Sequence, residues 1–114
     1  DVLAEDVAAG LRYLKTRPDD AQGFAQLAWY SANLGDKSKA REMQRKAEAL
    51  ATERGEVALW GAQTMAILDD DKAAREQMGK ARSEGIPQQR IDSIPVLRRL
   101  LGEVASTPAP ASKQ

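Results

Sequence analysis

The chain has 114 residues, 42% of them apolar and only 4% aromatic, enough to cover one helical core and too little for a second. Seventeen basic residues balance seventeen acidic ones, so no net field draws the chain to nucleic acid or to an anionic membrane. Cysteine and histidine are both absent, which removes disulfides, thiolate nucleophiles, and the commonest metal ligands and general bases near neutral pH.

Ala, Leu, Gln, Glu, Lys and Arg dominate, and these residues lose least on entering a helix, so the composition reads all-α. No stretch approaches the roughly eighteen apolar residues of a membrane span, and nothing has the build of a secretion signal. Membrane insertion of this segment is therefore not expected. The chain opens on Asp1 rather than methionine, which fits a processed protein or a fragment of a longer one, and the fragment is preferred.

Leu3, Val7, Leu11 and Leu14 fall at helical steps on one face and predict a first helix over 2–15, ended by Arg17-Pro18-Asp19-Asp20. Asp19 with Gln22 three residues on has the spacing of a capping box, predicting a second helix that runs to Leu34. Gly35 can take the left-handed conformation that closes it, and Asp36 or Ser38 can cap a third helix reaching about Thr52. Gly55 is read as the next break, followed by a fourth helix over 56–68. The run Asp69-Asp70-Asp71 supplies a turn and a cap for a fifth helix over 72–83, before Gly85-Ile86-Pro87. Its spacing lacks the alternating ligands and central glycine of a calcium loop, so no metal or cofactor site is expected.

After Pro87 the apolar residues crowd together. Ile91, Ile94, Val96, Leu97, Leu100 and Leu101 predict a closing helix over 94–104, with Pro95 in its first turn and Ser93 as cap. Residues 105–114 offer nothing to bury and are read as a disordered tail. On α-helix surfaces opposite charges at short spacing, as in Arg41, Glu42, Arg45, Lys46 and Glu48, predict a solvated face. Leu97, Leu100 and Leu101 beside Arg98-Arg99 are assigned to covering the end of the helical stack, with pairing between two copies of the chain as the alternative.

A shift of 34 residues lays Ala28 on Ala62, Leu34 on Leu68, Ala40-Arg41-Glu42 on Ala74-Arg75-Glu76, and Ala47 on Ala81. A helix pair with that period resembles the tetratricopeptide repeat (TPR), on the residues Phe24, Leu27, Ala28, Gly35, Ala40 and Ala47. Ser31 and Gln44 stand where the family usually has aromatics, and the second repeat offers Ala58, Gly61 and Met65 for the first-helix signature. The ending from Ala81 through Gly85, Ile91, Pro95, Leu97 and Leu100 resembles the last part of repeat regions in larger bacterial signalling proteins.

The resemblance implies one domain over 1–104: a half repeat at 2–17, repeats at 21–54 and 55–88, and the closing helix. It also implies antiparallel helix pairs stacked as a short right-handed α-solenoid, and a scaffold role in protein–protein interaction rather than catalysis. Gln22, Gln26, Trp29 and Asn33 share one face of the second helix, and one period later the corresponding face carries Glu56, Trp60, Gln63 and Ile67, flanked by Leu59. These nine residues are the expected groove for a peptide or helix of a protein partner.

Trp29 is the stronger groove candidate of the two tryptophans, the competing role for either being packing between helices, and Tyr30 is expected to cover the neighbouring pair. Some family members grip a terminal carboxylate with lysines and asparagines. The amides here predict no such clamp. Homodimerisation is the alternative use of the fold, and for the compartment cytoplasm is preferred over periplasm.

Overall fold

The computed structural model describes residues 2–106, and among these the side chains of 2–4, 6 and 102–106 lie outside the description. Seven helices and no strand are found there: α1 (Val2–Thr16), α2 (Ala21–Asn33), α3 (Lys37–Leu50), α4 (Arg54–Ile67), α5 (Asp71–Ser83), α6 (Gln88–Asp92) and α7 (Pro95–Ser106). The all-α expectation holds. Helix α2 packs on α3 and α4 on α5, while α4 also lies against both α2 and α7.

The pairs are made by one turn used repeatedly. After α2, Gly35 at φ 84° lets the Asp36 amide donate to the Ser31 carbonyl, and after α4, Asp69 at φ 62° lets the Asp70 amide donate to Met65. After α5, Gly85 at φ 101° does the same for Ile86 and Ala81. Left-handed residues close helices in this way because they turn the chain while satisfying terminal carbonyls. The residue after the turn then caps the next helix. Asp36 accepts from the Lys39 amide at 3.1 Å, and Asp70 from the Ala73 amide at 3.2 Å.

Between helices the spacing is set by alanine. Ala28 and Ala62, Ala40 and Ala74, and Ala47 and Ala81 are each wholly buried, so the 34-residue correspondence is also a correspondence in packing. One apolar cluster gathers Leu14, Phe24, Leu27 and Val57 from α1, α2 and α4. The next gathers Leu59, Met65, Ile91, Leu97 and Leu100 from α4, α6 and α7. Leu97 and Leu100 have no exposure, and Arg99 reaches back to Asp71 at 2.8 Å. The closing helix thus spends its leucines on its own chain.

Four local expectations are corrected. Asp20, not Asp19, caps α2, accepting from the Gly23 amide at 2.9 Å. A Cβ at position 23 would sit 2.9 Å from that carboxylate, so glycine makes room for the cap. Gly55 is no break but lies inside the first turn of α4, beneath Ile86, whose Cγ1 is 3.0 Å from where its Cβ would be. The break is at Ala51, which is extended. Residues 88–92 form a separate helix, and the Ser93 hydroxyl donates back to the Arg90 carbonyl at 2.7 Å instead of capping α7. Ala105 and Ser106 still belong to α7; the expected disorder of 107–114 falls outside the described residues.

The charged face of α3 is also less local than its spacing suggests. Lys46 pairs with Glu42 along the helix at 3.8 Å, but Arg41 crosses to Asp70 at 3.1 Å. Glu48 accepts from the amides of Gln44 at 3.1 Å and Gln77 at 2.7 Å, tying α3 to α5.

Candidate functional site

Extending the 34-residue step once more past α4 reaches α6 and the start of α7. Gln22, Glu56 and Arg90 then share one phase, and Gln26, Trp60 and Ile94 share the phase four residues on. All six line a single concavity of about 300 Å³, together with Leu59, Gln63 and Ser93. Residues remote in sequence come together because successive helices present equivalent faces to the same side.

Gln22 and Gln26 line a second concavity as well, of about 500 Å³, whose other walls include Tyr13 of α1 and Tyr30 of α2. Gln22 and Gln26 are the wall common to both hollows, which together make a trough along α1, α2, α4 and α6 with the two amides at its middle. Gln26 is exposed, while the Gln22 amide donates to Glu53 at 2.8 Å.

Of the nine expected groove residues, Gln22, Gln26, Glu56, Leu59, Trp60 and Gln63 line the 300 Å³ hollow. Trp29, Asn33 and Ile67 are not among its walls. Trp29 is half-buried and meets the rings of Trp60 at 6.2 Å and Tyr30 at 5.2 Å, both edge to face, so it buttresses the tryptophan that does line the trough. Asn33 turns its amide onto the Trp29 carbonyl at 3.0 Å. Ile67 packs against the core at the far end of α4. Leu59 is only 4% exposed and serves as floor. Arg90, Ser93 and Ile94 are the walls that sequence reading missed, and the signal for them was the same period carried through α6.

The trough contains one strong ion pair. Both Nη atoms of Arg90 reach the Glu56 carboxylate, Nη2 lying 2.8 Å from Oε1. This forked geometry gives two parallel charge-assisted bonds. Arg90's hydrogen bonds, and then its charge, hold the Glu56 carboxyl below its ordinary 4.5 despite partial desolvation, and the same pairing raises Arg90. A depressed carboxylate contributes stability that is present above its unfolded-state value and is lost as pH falls through the folded one. The stability difference between the native chain and an Arg90→Ala variant should therefore be constant above about pH 5.5 and shrink as pH drops below 4.5. Urea midpoints measured from pH 7 down to 3 check this; a difference that persists unchanged at pH 3 would remove the ion pair as its source.

Among the described residues no three carboxylates gather where they could hold a metal ion, and no helix is long and apolar enough to cross a membrane. The acidic run is already employed: Asp70 caps α5 and pairs with Arg41, and Asp71 pairs with Arg99. No protein-family model matches the chain at a significant level, and no curated protein or solved structure does so either.

Proposed function

We propose that the chain is a protein-interaction module of the TPR type, a short right-handed solenoid of antiparallel helix pairs that holds a segment of a partner protein along its trough. The observation that carries this reading is the trough's construction. Its walls include same-phase residues of α2, α4, α6 and the turn after α6, so the surface is extended, and it combines apolar walls at Trp60, Leu59 and Ile94 with side-chain amides. Stacked helix pairs favour peptide recognition because they generate extended concavities of this kind.

A role without catalysis is part of the proposal, since the carboxylates nearest the trough's middle are engaged structurally, Glu56 by Arg90 and Glu53 by Gln22. The resemblance of the ending from Ala81 to Leu100 to repeat regions of bacterial signalling proteins supports a place in a larger protein of that kind.

Panning a display library of random segments against the intact chain tests the reading. Selected segments should bind at least about tenfold more weakly to Trp60→Ala, because a half-buried tryptophan at the centre of an interface is the residue type that carries most affinity. Gln26→Trp, a change at an exposed position that fills the trough, should abolish binding while the helical circular dichroism is retained. Segments that bind both variants as tightly as the native chain would place the interaction elsewhere.

A further inference from the structure

The chain is neutral as a whole, but its charges are not evenly spread. Two further hollows adjoin the trough. One, of about 390 Å³, lies between the α1–α2 and α3–α4 turns and shares Gln22 with it; the other, of about 260 Å³, lies between the α3–α4 and α5–α6 turns and shares Glu56. Lining these adjoining hollows stand Asp19, Asp20, Glu53, Glu56 and Glu84, five carboxylates against the guanidiniums of Arg54 and Arg90.

Arg90 is committed to Glu56, which leaves Asp19, Asp20, Glu53 and Glu84 facing Arg54 and, at the Glu84 end, Lys80, which shares a hollow with Glu84, Arg54 and Glu48. Asp20 gives one oxygen to the Gly23 amide and Glu53 one to Gln22, neutral donors that leave both charges in place. The compensating cations are on other surfaces. Lys37, Lys39, Arg41, Arg45 and Lys46 of α3 line neither the trough nor the two hollows beside it. Arg17 stands 5.9 Å from the centre of the Tyr13 ring at the α1 end and Lys80 stands beside Glu84 at the other, so the excess is greatest in the 390 Å³ hollow, which Asp19, Asp20 and Glu53 line without a cation. An apolar contact belongs to the same surface: Leu50, 38% exposed, lines the hollow between Asp19 and Glu53.

From this distribution we infer that the occupant of the trough is a cationic segment of a partner protein, an extended stretch in which lysine or arginine side chains flank an apolar one. The inference deepens the proposed function and rests on it. Acidic surfaces attract and orient such segments and repel carboxylate-rich ones, so charge selects the partner while Trp60 and Leu59 supply the apolar contact. Nucleic acid and anionic lipid surfaces are disfavoured by the same sign of charge. A divalent cation is disfavoured because the carboxylates are spread over three turns, with no three of them gathered.

The test uses the intact chain and a library of random segments of roughly twelve residues, the length that spans about 40 Å when extended, within the 52 Å of the molecule's long axis. Lysine and arginine should be enriched at least about threefold over the input, with aspartate and glutamate depleted, and affinity should fall at least about tenfold between 50 and 300 mM salt. Glu53→Lys with Glu84→Lys, both at exposed positions, should reverse the preference toward acidic segments.

Enrichment of apolar segments with no cationic bias overturns this inference and leaves the trough reading standing. If nothing is enriched, both fall. A cationic bias that survives the double charge reversal also overturns it, since the bias then has another origin. So does a doubling of mass on sedimentation at low salt that the reversal abolishes, because the occupant is then the basic α3 of a second copy.

Discussion

Ile91→Ala should lower the free energy of unfolding by about 2–4 kcal/mol, the range for truncating a fully buried aliphatic side chain, and should also remove one wall of the trough. The reason lies in the weakness of α6 by itself. It has five residues and no side-chain cap at its N-terminus, too short to be stable alone in water. It is held by Ile91, which has no exposure, by the Arg90 fork on Glu56, and by an Arg82–Gln88 hydrogen bond at 3.2 Å. Losing the Ile91 anchor frees Arg90, Ser93 and Ile94 together. Urea denaturation checks the stability, with Ile91→Val costing only about 1 kcal/mol as the conservative control. The affinity of a selected segment, measured where the variant is still folded, checks the wall. A cost below about 0.5 kcal/mol, the level of an exposed site, would mean that α6 is not docked in solution.

Gly61→Ala is expected to destabilise the chain even though alanine is the better helix former. A Cβ at position 61 would lie 2.5 Å from Gln44 Nε2 and 3.1 Å from its Cδ, and 3.2 Å from Gln77 Cδ. Gln44 is 2% exposed and cannot swing into water; its amide donates to the Val57 carbonyl at 3.3 Å and to Glu48 at 3.1 Å. Displacing it breaks both bonds in a buried setting, a cost of about 2–3 kcal/mol that outweighs the gain of about 1 kcal/mol in helix propensity. In a Gln44→Ala background only the 3.2 Å approach to Gln77 remains, which offsets the gain in helix propensity, and the same glycine change should be near neutral. The four stabilities form a double-mutant cycle. Equal costs of Gly61→Ala in both backgrounds would refute the steric account.

The pair accounts for two residues that fit the resemblance to TPR poorly. Gln44 stands where that family usually has an aromatic, and Gly61 where the first-helix signature of a second repeat is expected. In the structure they are one feature, an amide seated on a backbone with no side chain. Neither residue could be interpreted alone, because the contact joins helices whose sequence gives no sign of their register against each other.

Elsewhere the sequence was directly informative. The positions of the first five helices, the left-handed turn at Gly35, the segments that hold the caps Asp36 and Asp70, the all-α class and the 34-residue correspondence were legible because they depend on interactions within a few residues: apolar spacing, cap chemistry and the one residue free to take positive φ. Six of the residues lining the 300 Å³ hollow could be named from helical phase, since equivalent faces of successive helices point the same way.

What the period could not supply was the outcome of competition between side chains. Trp29 and Trp60 are equally good groove residues by type; only the packing of α2 on α4 makes one the wall and the other its support. Gly55 reads as a break in the sequence and is a point of close approach in the fold, because the space above it is filled by Ile86 from more than thirty residues away. Arg90 closes the trough through a carboxylate one full period back. Local spacing determined where helices begin, end and face in this protein. Which side chains were left to meet a partner was decided by the tertiary structure, because burial and pairing belong to contacts between helices that no single stretch of the chain contains.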